Sequence, residues 1–310
     1  MRQMAAVMES DLAMSASMLR RLADDAEEKG PISRLIGDHP DVEDPLYAIR
    51  ALAGVRYLVL KGSAPSLAKH LQGLSENLGN PAYDECTWEL FCDTLLGNPT
   101  EILSAMERPV QQHMPSRAST LLHGITLLNE SKIRILEIGA CAGLNLLLDQ
   151  YRWFGSDWEW GDERSTVRMV ANGPRPGDFT IVDRAGCDLA PRDAGNLDDA
   201  TILRSFIPHE RDIDQMELDD ALSLAATSNL RVEKANAVEW LAARLSARER
   251  DPDVFTVVWH SLFWWYLSER EHANIENILF AASRHMRLAR IAFEPSAWAK
   301  NPLLRIYVYS

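Results

Sequence analysis

One stretch constrains the fold of this chain more than any other. Residues 133–145 read Ile-Arg-Ile-Leu-Glu-Ile-Gly-Ala-Cys-Ala-Gly-Leu-Asn. Ile133, Ile135, Leu136 and Ile138 form a short apolar run, the pattern of a buried parallel strand. Gly139 and Gly143 bracket a tight turn, and Leu144, Leu146, Leu147 and Leu148 open a helix. A strand running through a glycine loop into a helix lets a nucleotide-like ligand approach the backbone and offers it free N–H groups. A plain strand-to-helix turn has the same pattern, so the rest of the chain has to decide between them.

The spacing narrows the choice of ligand. A dinucleotide fingerprint needs glycine at 141 and 144. Cys141 and Leu144 stand there, which counts against a nicotinamide-dependent oxidoreductase. An acid, Glu137, precedes the first glycine by two residues. A carboxylate at a strand tip repels a pyrophosphate and suits a ligand with a positive end. Glu137, Gly139 and Gly143 resemble motif I of the class I S-adenosylmethionine-dependent methyltransferases, E-x-G-x-G-x-G, with Cys141 in place of the middle glycine. That resemblance implies S-adenosylmethionine as cofactor, held by Glu137, Gly139, Ala140, Cys141, Gly143 and Asn145. Cys141 reads either as a reactive thiol at a helix N-terminus or as a small residue filling a glycine's place.

Composition bounds the partners. A net charge of −13, with Lys and Arg scattered, argues against a nucleic-acid substrate, because phosphate binding needs a basic face. A small-molecule or protein methyl acceptor is preferred. No apolar run approaches the roughly 20 residues that span a bilayer. Glu9, Asp11 and Arg20-Arg21 interrupt the N-terminus, so no signal peptide is read and the expected compartment is the cytoplasm. Cys86, Cys92, Cys141 and Cys187 form no C-x-x-C pair and no His clusters beside them, so neither metal ligation nor a disulfide framework is expected.

The chain divides into a helical N-terminal domain, 1–130, and an α/β domain, 131–310. Met4 through Ala26 recur at helical spacing up to Gly30-Pro31. Asp44-Pro45 caps a second helix that ends at Gly62, and a third begins near Ser63–Pro65. Residues 84–96, 100–107 and 117–129 read as further helices. From Ile133 strands and helices alternate, the pattern of a doubly wound, mostly parallel sheet. Strands are expected at 179–188, 230–236, 254–259 and 288–293, with an edge strand at 303–309. Helices are expected within 197–227, 238–248 and 269–285. Residues 151–178, rich in Trp and Gly, read as an inserted flap; Trp153, Trp158 and Trp160 either cover a ligand or pack a core.

Open α/β sheets bind ligands outside the carboxyl ends of their strands. The first five predicted strands each end on a polar group: Glu137, Asp188, Asn236, His260 with Ser261, and Glu294. Asp188 can accept two ribose hydroxyls, and Cys187-Asp188-Leu189-Ala190-Pro191 resembles the methyltransferase segment after strand two. Asn236-Ala237 falls where that superfamily often has Asp-Ala; Asn236 either reads the adenine edge or caps the next helix. Trp259-His260-Ser261-Leu262-Phe263-Trp264-Trp265-Tyr266 lies where methyltransferases face the sulfonium and the acceptor. His260 is a candidate general base, or a core histidine, and Glu294 a candidate to orient the acceptor.

The core therefore resembles a class I methyltransferase, a Rossmann-like fold. The whole chain also resembles a bacterial family known as domain of unknown function 2332, on Arg108-Pro109-Val110-Gln111, Leu136–Leu148 with Asp149-Gln150-Tyr151-Arg152, Arg184–Asp193 and Val257–Leu267. Members usually show Gln-Thr-Asn-Glu after the Pro-Val step, where Gln111-Gln112-His113-Met114 stands here. They also carry a C-terminal extension, so a truncated chain is expected. The expectation is an S-adenosylmethionine-dependent methyltransferase whose acceptor contacts include Gln111, His113 and Arg117; the alternative is a non-catalytic binding or scaffold relative.

Overall fold

The computed structural model describes residues 1–44, 46–246, 251–296 and 299–309. Two expectations touch residues outside that set, the Pro45 helix start and the end of the 238–248 helix. The chain forms two compact units, one of Met1–Gln112 with Leu197–Gln215, the other of His113–Asn196 with Met216–Ser310.

The first unit is helical. It holds α1 (Arg2–Met8), α2 (Ala13–Glu27), α3 (Pro31–Ile36), α4 (Tyr47–Leu60), α5 (Pro65–Leu71), α6 (Leu74–Asn77), α7 (Pro81–Gly97) and α8 (Pro99–Met106). Leu19, Tyr47, Leu58, Leu95, Ile102 and Met106 lie at its centre. The run expected from Met4 to Ala26 is two helices, broken at 9–12. Pro31 opens α3 instead of ending α2, as its fixed φ and missing N–H allow at a first turn. The Asp25 carboxylate accepts the Ser33 N–H at 2.6 Å and anchors that start.

The second unit opens with α9 (Ala118–Leu128) and β1 (Lys132–Ile138). A small three-stranded sheet follows, of β2 (Arg152–Phe154), β3 (Glu159–Gly161) and β4 (Arg168–Val170), in the region read as a flap. Then come β5 (Thr180–Asp188), α10 (Leu197–Ser205, in the first unit), α11 (Asp212–Thr227, which crosses the division), β6 (Val232–Lys234) and α12 (Ala237–Leu245). The chain continues through β7 (Phe255–Ser261), α13 (Glu269–Ser283), β8 (Leu288–Ser296) and β9 (Ala299–Tyr309). Trp153 is fully buried and its indole N–H donates to Leu148 O at 2.7 Å, so this tryptophan is core.

The main sheet has six strands in the order β6-β5-β1-β7-β8-β9, all parallel except β9. The order reverses between β1 and β7: from β1 the chain builds outward to β5 and β6, then jumps to β7 on the other side. The crevice outside the carboxyl ends at such a switch is where open α/β sheets take ligands. Leu136, Ile138 and Val258 pack under α12 and α13, against Leu241, Ile275 and Leu279. Side chains alternate along a strand, so Glu137 points to the other face. There α9 comes so close that a Cβ on Gly124 would lie 2.8 Å from Ile291.

The helix expected from Leu144 is instead a 3₁₀ run, Leu144–Gln150, with non-helical dihedrals at Leu147. Side chains take the carbonyls that an α-helix would use. Tyr151 Oη donates to Leu144 O, Arg184 Nη1 to Leu146 O, and Trp153 Nε1 to Leu148 O, all within 2.7 Å. Arg184 also grips both oxygens of Asp149 at 2.7 Å.

Candidate functional site

The loop after β1 is shaped by its backbone. Gly139, Cys141 and Gly143 have φ of +71°, +52° and +72°. A Cβ on Gly143 would lie 2.9 Å from Leu230, and one on Gly139 only 2.4 Å from the Phe263 ring. Both glycines are thus demanded by conformation and by close packing. Phe263 rests where a ligand lying on Gly139 would also sit. Cys141 tolerates the left-handed region without being glycine because its amide is held. Its N–H donates to Asp188 Oδ2 at 2.9 Å, and Asp188 Oδ1 accepts the Ala190 N–H at 2.8 Å. Asp188 therefore clamps the loop to the end of β5, and each oxygen keeps further acceptor capacity. The Gly139 and Ala140 N–H groups both donate to Cys187 O. Burial pushes the Cys141 thiol well up, with Asp188 adding to it, so no reactive thiolate forms there.

Glu137 is enclosed at the end of β1, 2% exposed. Its Oε1 accepts from Asn145 Nδ2 at 2.7 Å. Burial pushes this carboxyl up to about 8, and the Asn145 amide and neighbouring Trp259 indole counter that only in part. Glu137 Oε2, Asn145 Oδ1 and the Trp259 indole nitrogen are buried without a hydrogen-bond partner among the described residues. Glu137 pairs with Trp259 in register across β1 and β7, so the carboxyl and the indole share one face of the sheet, and Asn145 reaches the same carboxyl.

A second polar group sits at the ends of β7 and β8. Glu294, placed inside β8 and not at its end, is 5% exposed. Its Oε1 accepts His260 Nδ1 at 2.7 Å and the N–H groups of Phe263 and Trp264 at 2.9 and 3.2 Å. The carboxylate thus holds the turn that follows β7, where Leu262 takes φ +49°. His260 stacks on Trp264 at 4.7 Å, and Trp264 stacks in turn on His272 of α13 at 4.4 Å. Burial lowers the His260 pKa against the pull of Glu294, which leaves a neutral imidazole. With Nδ1–H committed to Glu294, Nε2 carries the free lone pair. Nε2 and Glu294 Oε2 are also buried without partners among the described residues.

His113 and Arg117 come to the same edge from the segment before α9. His113 Nε2 accepts the Leu144 N–H at 3.2 Å, which fixes the proton on Nδ1. Burial, with Arg117 close by, drives its pKa down to about 3. Arg117 ends a 3₁₀ turn, Pro115–Arg117. Its guanidinium is crowded by protein, which lowers its pKa, and its charged and polar surroundings are Glu294, Cys141, Tyr266 and Glu137. Gln111 belongs to the first unit and is buried there. Asn236 caps α12, its Oδ1 accepting the Val238 and Glu239 N–H groups at 2.9 and 3.4 Å. Ala237 is buried in the core beneath α12, and Leu189 is exposed.

Sequence reasoning placed Trp259 and Phe263 in the run facing the sulfonium and the acceptor without seeing Trp259 beside Glu137 or Phe263 as the cover of Gly139, and it gave no role to Tyr151 and Arg184, which brace the loop. The cue for the last pair was already visible as Asp149-Gln150-Tyr151-Arg152, a polar block directly after a leucine run. Among the described residues no three His, Cys, Asp or Glu side chains are grouped to hold a metal ion. All four cysteines are free thiols. No helix among the described residues is long and apolar enough to cross a membrane.

The profile of a family described as "Uncharacterized protein conserved in bacteria (DUF2332)" matches residues 1–309, and the chain belongs to that family. Neither the curated proteins nor the solved structures yielded a match.

Proposed function

We propose that the second unit binds S-adenosylmethionine outside the carboxyl ends of β1 and β5 and transfers a methyl group to a small-molecule or protein acceptor. The strand order, with its reversal between β1 and β7, is that of doubly wound Rossmann-like sheets and supports reading the unit as a class I methyltransferase-like core. The observation that carries the proposal is the pair of buried, unpartnered acceptors at the end of β1, Glu137 Oε2 and Asn145 Oδ1. An unsatisfied buried polar group costs about 1–3 kcal/mol. An ammonium would satisfy both and draw the proton off Glu137.

The residues fit the group at that end. Glu137 and Asn145 would hold its amino group, and the spare acceptor capacity of Asp188 its ribose hydroxyls. The Gly139–Gly143 loop would carry the backbone contact, once the Phe263 ring swings away from Gly139. Asn236 and Ala237 are committed to the cap and core of α12, so no adenine contact is assigned to them. Bound there, the sulfonium would supply an electrophilic methyl group. The protein's part is alignment and exclusion of water. Glu294 holds the Phe263–Trp264 turn against the strand ends. His260 Nε2, oriented through Nδ1, takes the proton lost by an acceptor hydroxyl or amine.

Two features favour a second reading, a binding or scaffold protein that keeps the fold without transfer. Cys141 replaces a loop glycine, and Phe263 covers Gly139. Calorimetric titration of the full chain with S-adenosylmethionine and S-adenosylhomocysteine separates the two. Saturable binding that Glu137→Gln weakens at least tenfold supports the first. Absence of heat with both ligands overturns it.

A further inference from the structure

We propose that Cys86 is a nucleophilic thiol with His70 as its base, and that it takes up a small disulfide as a mixed-disulfide adduct. The site lies wholly within the helical first unit and does not depend on the methyltransferase reading.

The pair is assembled by the packing of α5 on α7. Tyr83, Cys86 and Thr87 stand three and four residues apart, on one face of α7. His70, in the last turn of α5, meets that face. Its ring stacks on Tyr83 with centroids 4.0 Å apart, and Tyr83 Oη donates to His70 O. Thr87, 2% exposed, fixes the tautomer. Its hydroxyl proton goes to Tyr83 O at 2.8 Å, so Oγ1 meets His70 Nε2, also at 2.8 Å, as an acceptor. Nε2 therefore carries the proton of the neutral ring, and the lone pair is on Nδ1. Cys86 Sγ lies 3.8 Å from that nitrogen, in reach for the thiol to donate. A nucleophile beside a base that a third group orients is the arrangement that activates a thiol. Cys86 and His70 are both only partly buried, so a small reagent has access to the sulfur.

The chemistry closes without a further reactant. Sγ attacks one sulfur of the small disulfide, forming a new S–S bond to Cys86 as the reagent's own S–S bond breaks. The thiol proton moves to His70 Nδ1 and then to the departing thiolate, which leaves as a thiol. Cys86 is oxidised, and the departing half of the reagent is reduced. Thr87 Oγ1 still accepts Nε2–H while the ring is charged, so it serves as a positioning residue. The other thiols do not compete: burial pushes Cys92 and Cys187 up to about 12, and it raises Cys141 as well. Cys92 follows six residues later on the same helix, about 9 Å along its axis, too far to close a disulfide with Cys86. The adduct therefore persists until a second small thiol releases it.

The test treats the full chain with bis(2-hydroxyethyl) disulfide, a neutral probe, at one fixed pH. Intact mass and peptide mapping follow the adduct and locate it. The expected result is an adduct on Cys86 alone, formed about tenfold or more faster than on Cys86 of the urea-unfolded chain. His70→Asn should remove that advantage. Thr87→Val, which keeps the shape and loses the hydroxyl, should slow the reaction, and Thr87→Ser should restore it. A Cys86 rate no faster than in the unfolded chain overturns the proposal. So does an adduct that forms first on Cys92, Cys141 or Cys187, or a rate that a folded His70→Asn leaves unchanged. If His70→Asn does not fold, the two Thr87 variants decide: a faster reaction with Ser than with Val supports the dyad, and equal rates overturn it.

Discussion

Replacing Glu137 by Gln should make the protein more stable at alkaline pH while weakening its proposed ligand. The reasoning starts from burial. The carboxyl is driven from 4.5 to about 8 because its ionised form loses water and gains too few donors. In the unfolded chain the group ionises near 4.5, so between that pH and 8 the folded state binds more protons than the unfolded one. Stability then falls as pH rises through this window and levels off above about 8. The displacement corresponds to on the order of 5 kcal/mol, a large share of the ~5–15 kcal/mol that holds a typical domain. Glutamine keeps the acceptor for Asn145 Nδ2 and cannot ionise. Urea unfolding followed by tryptophan fluorescence, at steps from pH 5 to 9, should show two nearly superposed proteins at pH 5. By pH 9 Glu137→Gln should be the more stable by several kcal/mol. Parallel curves at every pH would refute the argument, because they would mean that Glu137 ionises in the folded state as easily as in water.

Other consequences can be checked on the same material. His113, buried and neutral with a pKa near 3, binds fewer protons folded than unfolded, so it adds stability that is lost as pH falls from about 6.5 toward 3; His113→Gln should flatten the acid limb of the unfolding curve. Gly139→Ala should cost about 2 kcal/mol or more, from the left-handed φ and the 2.4 Å approach to Phe263. Phe263→Ala in the same chain should recover the packing part and leave the conformational part, as a double-mutant cycle measures. Glu294→Ala orphans the N–H groups of Phe263 and Trp264 together with His260 Nδ1. It should cost about 3 kcal/mol in chemical denaturation.

What the sequence made legible is what local pattern can encode. The apolar run from Ile133 to Ile138 and the glycines after it lie in the structure as a central strand and a tight loop. The polar residues that end the strands do gather along one edge of the sheet, because parallel strands put all their carboxyl ends on one side. The leucines after Gly143 misled, since their periodicity fits an α-helix while Tyr151, Trp153 and Arg184 divert the carbonyls. Those partners come from later in the chain. Asp188 reads equally as a ribose acceptor or a turn acid, and only the fold shows its carboxylate holding Cys141.

The most direct measurement is a crystal structure of the full chain with S-adenosylhomocysteine. The account predicts the ligand's ammonium within hydrogen-bond distance of Glu137 and Asn145, with Phe263 displaced from Gly139. Ligand bound elsewhere, or Phe263 still seated on Gly139 with the ligand beside an untouched Glu137, would contradict it.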